Sequence, residues 1–268
     1  MKQCPKCNAS IIDTAKFCPK CGVNIKKYEE EHAKNRFCPE CGTPVADGDF
    51  CIECGYRVNG ASEKTKSTSA EQTAWNIGDT VTLGMYCQNS LSRKDPIEWI
   101  VLKREGSKAL LISKYLLSCK MYNREYVDTT WETSSIRKWL NNEFLKEAFS
   151  EIEQKNIQYT KIITQDNLVR KTKGGNMTVD KLFILSTEEA NLYFSSDDER
   201  KCVPTLYAEV TESYKKIGAD GWTWWLRSPG DEQGCATVVS GTGHISDYGF
   251  FVNIISNGVR PALWIDLS

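Results

Sequence analysis

The segment GWTWWLRSPG, residues 221–230, places three of the chain's eight tryptophans within four positions and follows them with an arginine and a Pro-Gly pair. Successive side chains of a β-strand point to opposite faces, so Trp224 and Trp225 would lie on different sides of a sheet. Because buried aromatic rings dominate the energetics of hydrophobic cores, we expect at least one of these two rows to be core. Arg227 is expected to anchor a carboxylate or backbone carbonyls inside the same domain.

Tryptophan and cysteine divide the chain into two chemically different parts. All eight tryptophans lie after position 74, whereas eight of the twelve cysteines lie before position 55. This separation predicts a metal-held part over residues 1–58 and a domain with a hydrophobic core over residues 75–268. The intervening residues 59–74 contain no large apolar side chain and are expected to form a flexible tether.

The metal-held part contains an internal repeat, with one ribbon at residues 1–27 and a second at residues 36–58. In each ribbon two CxxC motifs are separated by nine or ten residues. Two turns that each present two thiolates can close a tetrahedral shell, which suits Zn²⁺ and leaves no open position for a reacting water. We therefore predict two structural zinc ions, ahead of redox CxxC pairs or an iron site. The predicted ligands are Cys4, Cys7, Cys18, Cys21, Cys38, Cys41, Cys51 and Cys54.

Glycine follows three of the four CxxC motifs, at Gly22, Gly42 and Gly55, where a positive φ lets the backbone wrap a metal. Residues 1–58, with the phrase FCPxCG in both ribbons, resemble the bacterial and archaeal double zinc ribbon family. That resemblance implies a contact with proteins or with nucleic acids and does not decide between them.

Charge favours a protein as the partner of the ribbons. Residues 1–27 carry six lysines against one aspartate, a net charge of +5, whereas residues 36–57 carry two arginines against four acidic residues, a net charge of −2. A nucleic-acid reader needs a continuous basic track with exposed aromatic side chains, and the acidic second ribbon interrupts that track. Nucleic-acid binding by the basic first ribbon and a solvated lysine face without any partner are the alternatives.

Nothing in the composition points to a membrane. The whole chain has a formal net charge of −1, which gives no bulk attraction to nucleic acid or to anionic lipid. No apolar run approaches the roughly 20 residues that span a bilayer, and the start MKQCPKCNAS lacks the apolar stretch of a secretory signal. We expect a cytoplasmic protein, in which reduced cysteines are available to bind metal.

Residues 75–268 combine strand patterns with two helix patterns, which predicts an α+β fold. The first helix is expected to begin at a Ser134 or Ser135 cap and to run to Ile152 with one buried face, and the second to begin at the capping box Ser186–Glu189. Strands are predicted at residues 79–86, 97–113 (with a hairpin turn), 181–186, 235–240, 249–256 and 259–267, and turns at residues 241–249 and at Asn257-Gly258.

Seven motifs of this part, GDTVTLGMY, PIEWIVL, ALLISKYLL, TWETSSIRKWLNNEF, FILSTEEANLYF, WWLRSPG and GVRPALWI, occur in the order of a bacterial domain family of unknown function. The resemblance covers residues 77–267, and that family is often found in Firmicutes behind zinc ribbons or membrane helices. The tryptophan-rich strand and the closing GVRPAL are also similar to the C-type-lectin-like fold, which includes the formylglycine-generating enzymes. This second resemblance implies that residues 231–249 lie on a ligand-facing side.

Four residues of the C-terminal part are candidates for contacting a ligand. They are Trp225, Arg227, His244 and Tyr248.

An enzyme is the weaker hypothesis. His244, Ser246 and Asp247 could be drawn as a catalytic triad, but neighbours in sequence rarely converge in that way, and a polar surface hairpin is favoured. Cys235 lies late in the chain, as cysteines of the formylglycine-generating enzymes do, yet it has no matching motif around it. SSDDER, residues 195–200, is interpreted as a solvated loop rather than a calcium site.

We therefore expect a non-catalytic zinc-ribbon adaptor or sensor whose C-terminal domain binds a ligand or protein partner. Nucleic-acid association and formylglycine-type catalysis are the alternatives.

Overall fold

The computed structural model describes residues 2–3, 10–12, 15–25, 36–37, 44–45, 75–211 and 222–268. Contacts between residues divide the chain into two compact units, Met1–Gln72 and Thr73–Ser268. The expected tether at residues 59–74 lies outside the described residues.

Short antiparallel strand pairs frame cysteine motifs of the N-terminal unit. Strand β1 (Lys2–Gln3) pairs with β2 (Ser10–Ile11), and β3 (Arg36–Phe37) pairs with β4 (Pro44–Val45). Each pair therefore encloses the first CxxC motif of one ribbon between its strands. In a zinc ribbon, the segment between two such strands contributes two cysteine ligands.

Strands predominate in the C-terminal unit. In chain order they are β5 (Thr80–Cys87), β6 (Lys94–Glu105), β7 (Lys108–Ser113), β8 (Ser118–Cys119), β9 (Thr160–Ile162), β10 (Thr178–Asp180), β11 (Leu182–Phe183), β12 (Trp224–Pro229), β13 (Cys235–Val239), β14 (Ile245–Phe251), β15 (Gly258–Val259) and β16 (Ala262–Asp266). One five-stranded sheet has the order β11-β16-β7-β6-β5, and a second has the order β14-β13-β12-β15-β8. Strands β9 and β10 form a separate antiparallel pair.

Helices are short and lie between the strands. They are α1 (Ser135–Trp139), a π-helical segment (Leu140–Phe144), α2 (Leu145–Ala148), α3 (Glu151–Asn156), α4 (Thr187–Tyr193), α5 (Asp197–Arg200) and α6 (Leu206–Thr211). An antiparallel sheet and a mixed sheet with a few helices, and no regular alternation of strand and helix, confirm the α+β class. Within the described ranges, no helix combines the length and the apolar composition that a membrane crossing demands.

Strand β12 contains the tryptophans that led the sequence analysis, and both of its faces are buried. Trp224 and Trp225 are fully buried, and Arg227 is almost so. The indole nitrogen of Trp224 donates to the carbonyl of Arg200 over 3.1 Å, and that of Trp225 donates to the carbonyl of Lys120 over 2.8 Å. The expectation that at least one row is core is therefore confirmed, and both rows are buried. Strand β12 is also the middle strand of the second sheet.

The first helix is shorter than its apolar pattern predicts. Ser134 caps it as expected, since its side chain accepts from the backbone of Arg137, but the chain leaves the helix at Phe149, which is extended. Ser150 then begins a separate helix, α3, with its own capping box. Ile152 is exposed on α3, so its assignment to the buried face of the first helix was wrong.

The end of the domain also departs from expectation. Asn257-Gly258 is not a hairpin turn: Gly258 begins β15, which pairs in parallel with Trp224 and antiparallel with Cys119. The single strand expected at residues 259–267 is divided, because the chain leaves the second sheet after β15 and enters the first as β16. Strand β14 begins earlier than expected, at Ile245, so the turn before it is only a few residues long.

Three further predictions for the C-terminal unit are confirmed, and a fourth is confirmed only in part. The hairpin expected at residues 97–113 is confirmed as β6 and β7, and the strand expected at residues 79–86 is confirmed as β5. The capping box at Ser186 and Glu189 is confirmed at the start of α4, with both reciprocal hydrogen bonds present. The strand expected at residues 181–186 is reduced to the two residues of β11.

Candidate functional site

Backbone hydrogen bonds close the second CxxC turn of the first ribbon. Phe17 and Asn24 form an antiparallel bridge across it, the backbone N–H of Cys18 donates to the carbonyl of Val23 over 2.9 Å, and Gly22 donates back to Cys18 over 2.8 Å. Gly22 has φ of 69°, the left-handed value that lets the backbone close around a metal. The turn thus fits the geometry and the soft sulfur donors of a structural zinc site.

Of the predicted ligands, Cys18 and Cys21 lie in this turn, with Cys18 buried and Cys21 half-buried. The other predicted ligands lie outside the described residues: Cys4, Cys7, Cys38, Cys41, Cys51 and Cys54.

Arg227 anchors the interior of the C-terminal unit. Its guanidinium holds both carboxylate oxygens of Glu189, one of them over 2.6 Å, and donates to the carbonyl of Ile184 over 2.8 Å and to that of Ile163 over 3.3 Å. The phenol of Tyr122 donates to the Arg227 carbonyl over 3.1 Å, and burial raises the pKa of Tyr122. Together these contacts bind α4 and the chain after β9 to strand β12.

Two of the four candidate ligand residues, Trp225 and Arg227, therefore lie inside the domain, where no solvent reaches them. The other two, His244 and Tyr248, are exposed on the second sheet. His244 follows the turn between β13 and β14, and Tyr248 lies within β14.

Four segments converge near Tyr248, at what we call the loop end: the loops at residues 123–130, 163–177 and 230–234, and the end of strand β14 at residues 247–251. Gln233 links three of them, because its side-chain amide donates to the carbonyl of Lys173 over 2.9 Å and to that of Thr129 over 3.2 Å, and its oxygen accepts from the backbone of Lys173 over 2.8 Å. The hydroxyl of Thr172 adds a 2.7 Å bond to the carbonyl of Gly230. The loops are therefore fixed to one another.

The longest of these loops is a hairpin arm that begins at β9 and returns at β10. Near its tip Asn167 and Thr172 form an antiparallel bridge, and the turn between them leaves Leu168 85% exposed and Val169 79% exposed. Asp166 fastens the base of the tip, because it accepts from the Lys173 ammonium over 2.8 Å and from a backbone N–H over 3.0 Å. These two bonds lower the pKa of Asp166.

A bulge in strand β14 places Tyr248 against the arm. Ala236 pairs with Phe250 and Val238 pairs with Ser246, so three residues of β14 stand opposite one residue of β13. Gly249 has φ of 73° at this bulge, and a Cβ there would lie 2.1 Å from a backbone oxygen. Bulges re-aim side chains at functional surfaces.

The re-aimed Tyr248 ring is covered by an arginine of the arm. The guanidinium carbon of Arg170 lies 3.8 Å from the ring centroid of Tyr248, and its Nη2 lies 3.3 Å from the carboxylate of Asp247. Nearby, Tyr126 and Phe251 make an edge-to-face contact with ring centroids 5.2 Å apart, and the phenol of Tyr126 donates to Glu232 over 3.0 Å. The loop end therefore presents aromatic, aliphatic and arginine side chains on a hydrogen-bonded base.

The groups proposed for catalysis are engaged elsewhere. Asp247 pairs with Arg170, and the hydroxyl of Ser246 accepts from the backbone of Gly249 over 3.4 Å. Cys235 is buried, and desolvation, followed by the charge of Asp231, raises the pKa of its thiol to about 11. A thiol that stays protonated at neutral pH is a poor nucleophile.

The acidic segment at residues 195–200 is a capped helical turn rather than a loop. Ser196 accepts from the backbone of Glu199 at the start of α5. Asp197 pairs with Arg200 and Asp198 pairs with Lys201, so these carboxylates already have cationic partners.

Two surface depressions also lie on the C-terminal unit, and one of them borders the 123–130 loop of the loop end. One of about 510 Å³ includes Glu98 and Leu206 in its wall, and another of about 380 Å³ includes Arg124, Trp139 and Glu143. Their walls are mainly polar, whereas sites that enclose a small ligand are mostly apolar.

The fold and the cysteine turns define a class: a zinc ribbon that precedes an α+β domain. A family model described as a zinc-ribbon domain matches residues 3–22, so the N-terminal part is a zinc-binding ribbon. A second model matches residues 106–267, which is more than half of the chain. The chain belongs to that family, described as Domain of unknown function (DUF6273). No curated protein and no solved structure matches the chain.

Proposed function

We propose that the protein is a non-catalytic cytoplasmic adaptor or sensor. Its ribbons would hold two structural zinc ions and contact a protein, and the loop end of its C-terminal domain would dock a second protein partner. The single observation that carries this proposal is the hairpin arm, whose base is fixed by side-chain hydrogen bonds and whose tip directs Leu168 and Val169 into solvent.

Exposed aliphatic side chains on an ordered scaffold are informative, because a fold normally buries such residues or leaves them scattered. Here they adjoin the Arg170–Tyr248 stack, and arginine and tyrosine are the residue types enriched at the centres of protein interfaces. The hydrogen-bonded base means that little ordering is required when the partner binds, which favours affinity. A protein partner therefore fits this surface better than a small molecule.

The same surface argues against the two alternatives. Arg170 is already neutralised by Asp247, and the acidic Glu232 lies in an adjacent loop, so the loop end does not form a basic track for nucleic acid. Formylglycine-type chemistry would require a reactive cysteine, and the thiol of Cys235 has its pKa raised to about 11. These points support a docking role and leave the ribbons to be tested separately.

The test is capture of partners from a lysate by the full-length zinc-loaded chain, with and without nuclease. The Leu168→Ser/Val169→Ser variant should lose the specific captured protein, whereas Leu192→Ser should retain it. Leu192 is the matched control because it is 72% exposed on α4, away from the arm. Equal capture by both variants, or capture that depends on nucleic acid, contradicts the proposal.

A further inference from the structure

The apolar side chains of the first ribbon point in two directions. Cys18 and Ile25 are buried in a small cluster, against which Val23 packs. Ile12 and Phe17, however, are 63% and 59% exposed. A unit of this size has few apolar side chains with which to build a core, so two large ones left exposed point to a use outside the core.

This surface is held in place by the metal-binding turn itself. Phe17 bridges to Asn24, and the backbone N–H of Ile25 donates to the carbonyl of Lys16 over 3.0 Å. The backbone that carries the Phe17 ring is therefore fixed before any partner arrives. A partner would meet a preformed feature rather than a loop that must first be ordered.

Lysines flank Phe17 in the sequence, whereas Asp13 follows Ile12 and is the one acidic residue among residues 1–27. Lys16 and Lys20 are exposed, and the sequence from Thr14 to Lys27 contains no acidic residue. The +5 charge of residues 1–27 falls to +3 when four thiolates bind one Zn²⁺, because that centre itself carries −2. The first ribbon is thus basic even with its metal bound.

We propose that Ile12, Phe17, Lys16 and Lys20 form the docking surface for an acidic protein segment that carries apolar side chains. The lysines supply charge complementarity, which speeds encounter and selects against basic partners. The aliphatic Ile12 cannot stack on a nucleobase as an aromatic ring does, and this separates the surface from a nucleic-acid platform. The inference rests on the adaptor function proposed above and names the chemistry of the ribbon's partner.

The experiment uses the full-length zinc-loaded chain and three labelled probes. These are a peptide of alternating glutamate and leucine, the same peptide with serine in place of leucine, and an oligothymidylate of equal total charge. The glutamate-leucine peptide should bind most tightly, and its binding should weaken as salt is added. Tighter binding of the oligothymidylate, or no measurable binding of the glutamate-leucine peptide, overturns the proposal.

Variants locate the binding surface. Ile12→Ser and Phe17→Ser should each weaken binding of the glutamate-leucine peptide by about tenfold, the loss expected when one apolar side chain is no longer buried. Ile77→Ser is the control, since Ile77 is 68% exposed in the other unit. Lys16→Glu/Lys20→Glu should also weaken binding, whereas the control Lys146→Glu/Lys155→Glu should not.

Two further measurements keep these results interpretable. Zinc content is measured for each variant. If Phe17→Ser loses metal, Ile12→Ser replaces it, because Ile12 lies outside the turn that contains Cys18 and Cys21. Leu168→Ser/Val169→Ser should leave peptide binding unchanged. Suppose that the unmodified chain does not bind the glutamate-leucine peptide, while Leu168→Ser/Val169→Ser still abolishes capture of the partner protein from the lysate. In that case the ribbon inference alone is refuted and the loop-end function stands. Ile12→Ser and Ile77→Ser binding the peptide equally would likewise refute it.

Discussion

Two asparagines of the C-terminal domain differ in their hydrogen bonds, so replacing each with alanine should affect the free energy of unfolding differently. Asn141, in the π-helical segment, makes four hydrogen bonds: its amide donates to the carbonyls of Arg137 and Leu182, and its oxygen accepts from the backbones of Lys181 and Leu182. Asn257 is fully buried, and neither of its amide atoms has a hydrogen-bond partner among the described residues. The perturbation is the same at both sites, asparagine to alanine.

The expected magnitudes follow from the groups left behind. Asn141→Ala removes the partner of three backbone groups of Lys181 and Leu182, where strand β11 begins. At about 1 kcal/mol for each, the free energy of unfolding should fall by about 3 kcal/mol. For a domain of this size that corresponds to a lower Tm by about 6–12 °C. Asn257→Ala breaks no side-chain hydrogen bond to any described residue and removes two polar atoms without a partner there, so the free energy of unfolding should rise or change by less than about 0.5 kcal/mol.

The assay is urea unfolding of the full-length chain followed by tryptophan fluorescence. All eight tryptophans lie after position 74, so the signal reports the C-terminal unit alone. An argument from burial would predict the reverse order, because Asn257 is the more buried residue. If Asn257→Ala destabilises the domain as much as Asn141→Ala does, the hydrogen-bond reasoning is refuted.

Three further predictions concern charge, pH and metal. Glu189→Gln keeps the helix cap but leaves the buried Arg227 without a carboxylate, so the free energy of unfolding should fall by about 2–4 kcal/mol in the same urea assay, and an unchanged value would contradict it. Because the pKa of Cys235 is raised to about 11, its stabilising contribution should be complete below about pH 8.5 and lost as the pH rises toward 11, and its alkylation at pH 8 should be about a hundredfold slower than that of free cysteine. If mass spectrometry detects rapid alkylation of Cys235 at pH 8, the enzyme hypothesis is supported again. Metal analysis should find two zinc ions per chain and one in Cys18→Ser; a single ion in the unmodified protein would rule out the second site.

Local signals were enough to predict much of the fold. The helix caps at Ser134 and Ser186 and the hairpin at residues 97–113 depend on neighbours only a few positions away, and each was found where expected. The CxxC spacing identified the ribbon for the same reason, since each turn forms its geometry from consecutive residues.

Features set by distant contacts could not be predicted. The apolar period of the first helix continues past Phe149, but the chain breaks there and Ser150 starts a new cap. Asn257-Gly258 has the composition of a turn, yet tertiary pairing with Trp224 and Cys119 makes Gly258 part of a sheet.

The candidate site shows the same limit. Tyr248 was predicted as a ligand candidate and is exposed, whereas the hairpin arm was not predicted. The turn-forming residue types Asp166-Asn167 and Gly174-Gly175 were the signals that the sequence offered for it. Trp225 and Arg227 were named as ligand candidates because strand alternation cannot tell which face of a sheet is covered by another layer.

The division of the closing segment between β15 and β16 has a consequence for biosynthesis. Strand β16 joins β11 to β7, and β15 joins β12 to β8, so each sheet is incomplete until both have been added. These strands leave the ribosome after every other strand of the domain. Until then the nascent chain carries open edges on two sheets at once, and a ribosome that stalls shortly before Gly258 would release a product ready to pair with its neighbours. Both sheets of the domain therefore keep unpaired edges until the closing segment has been added.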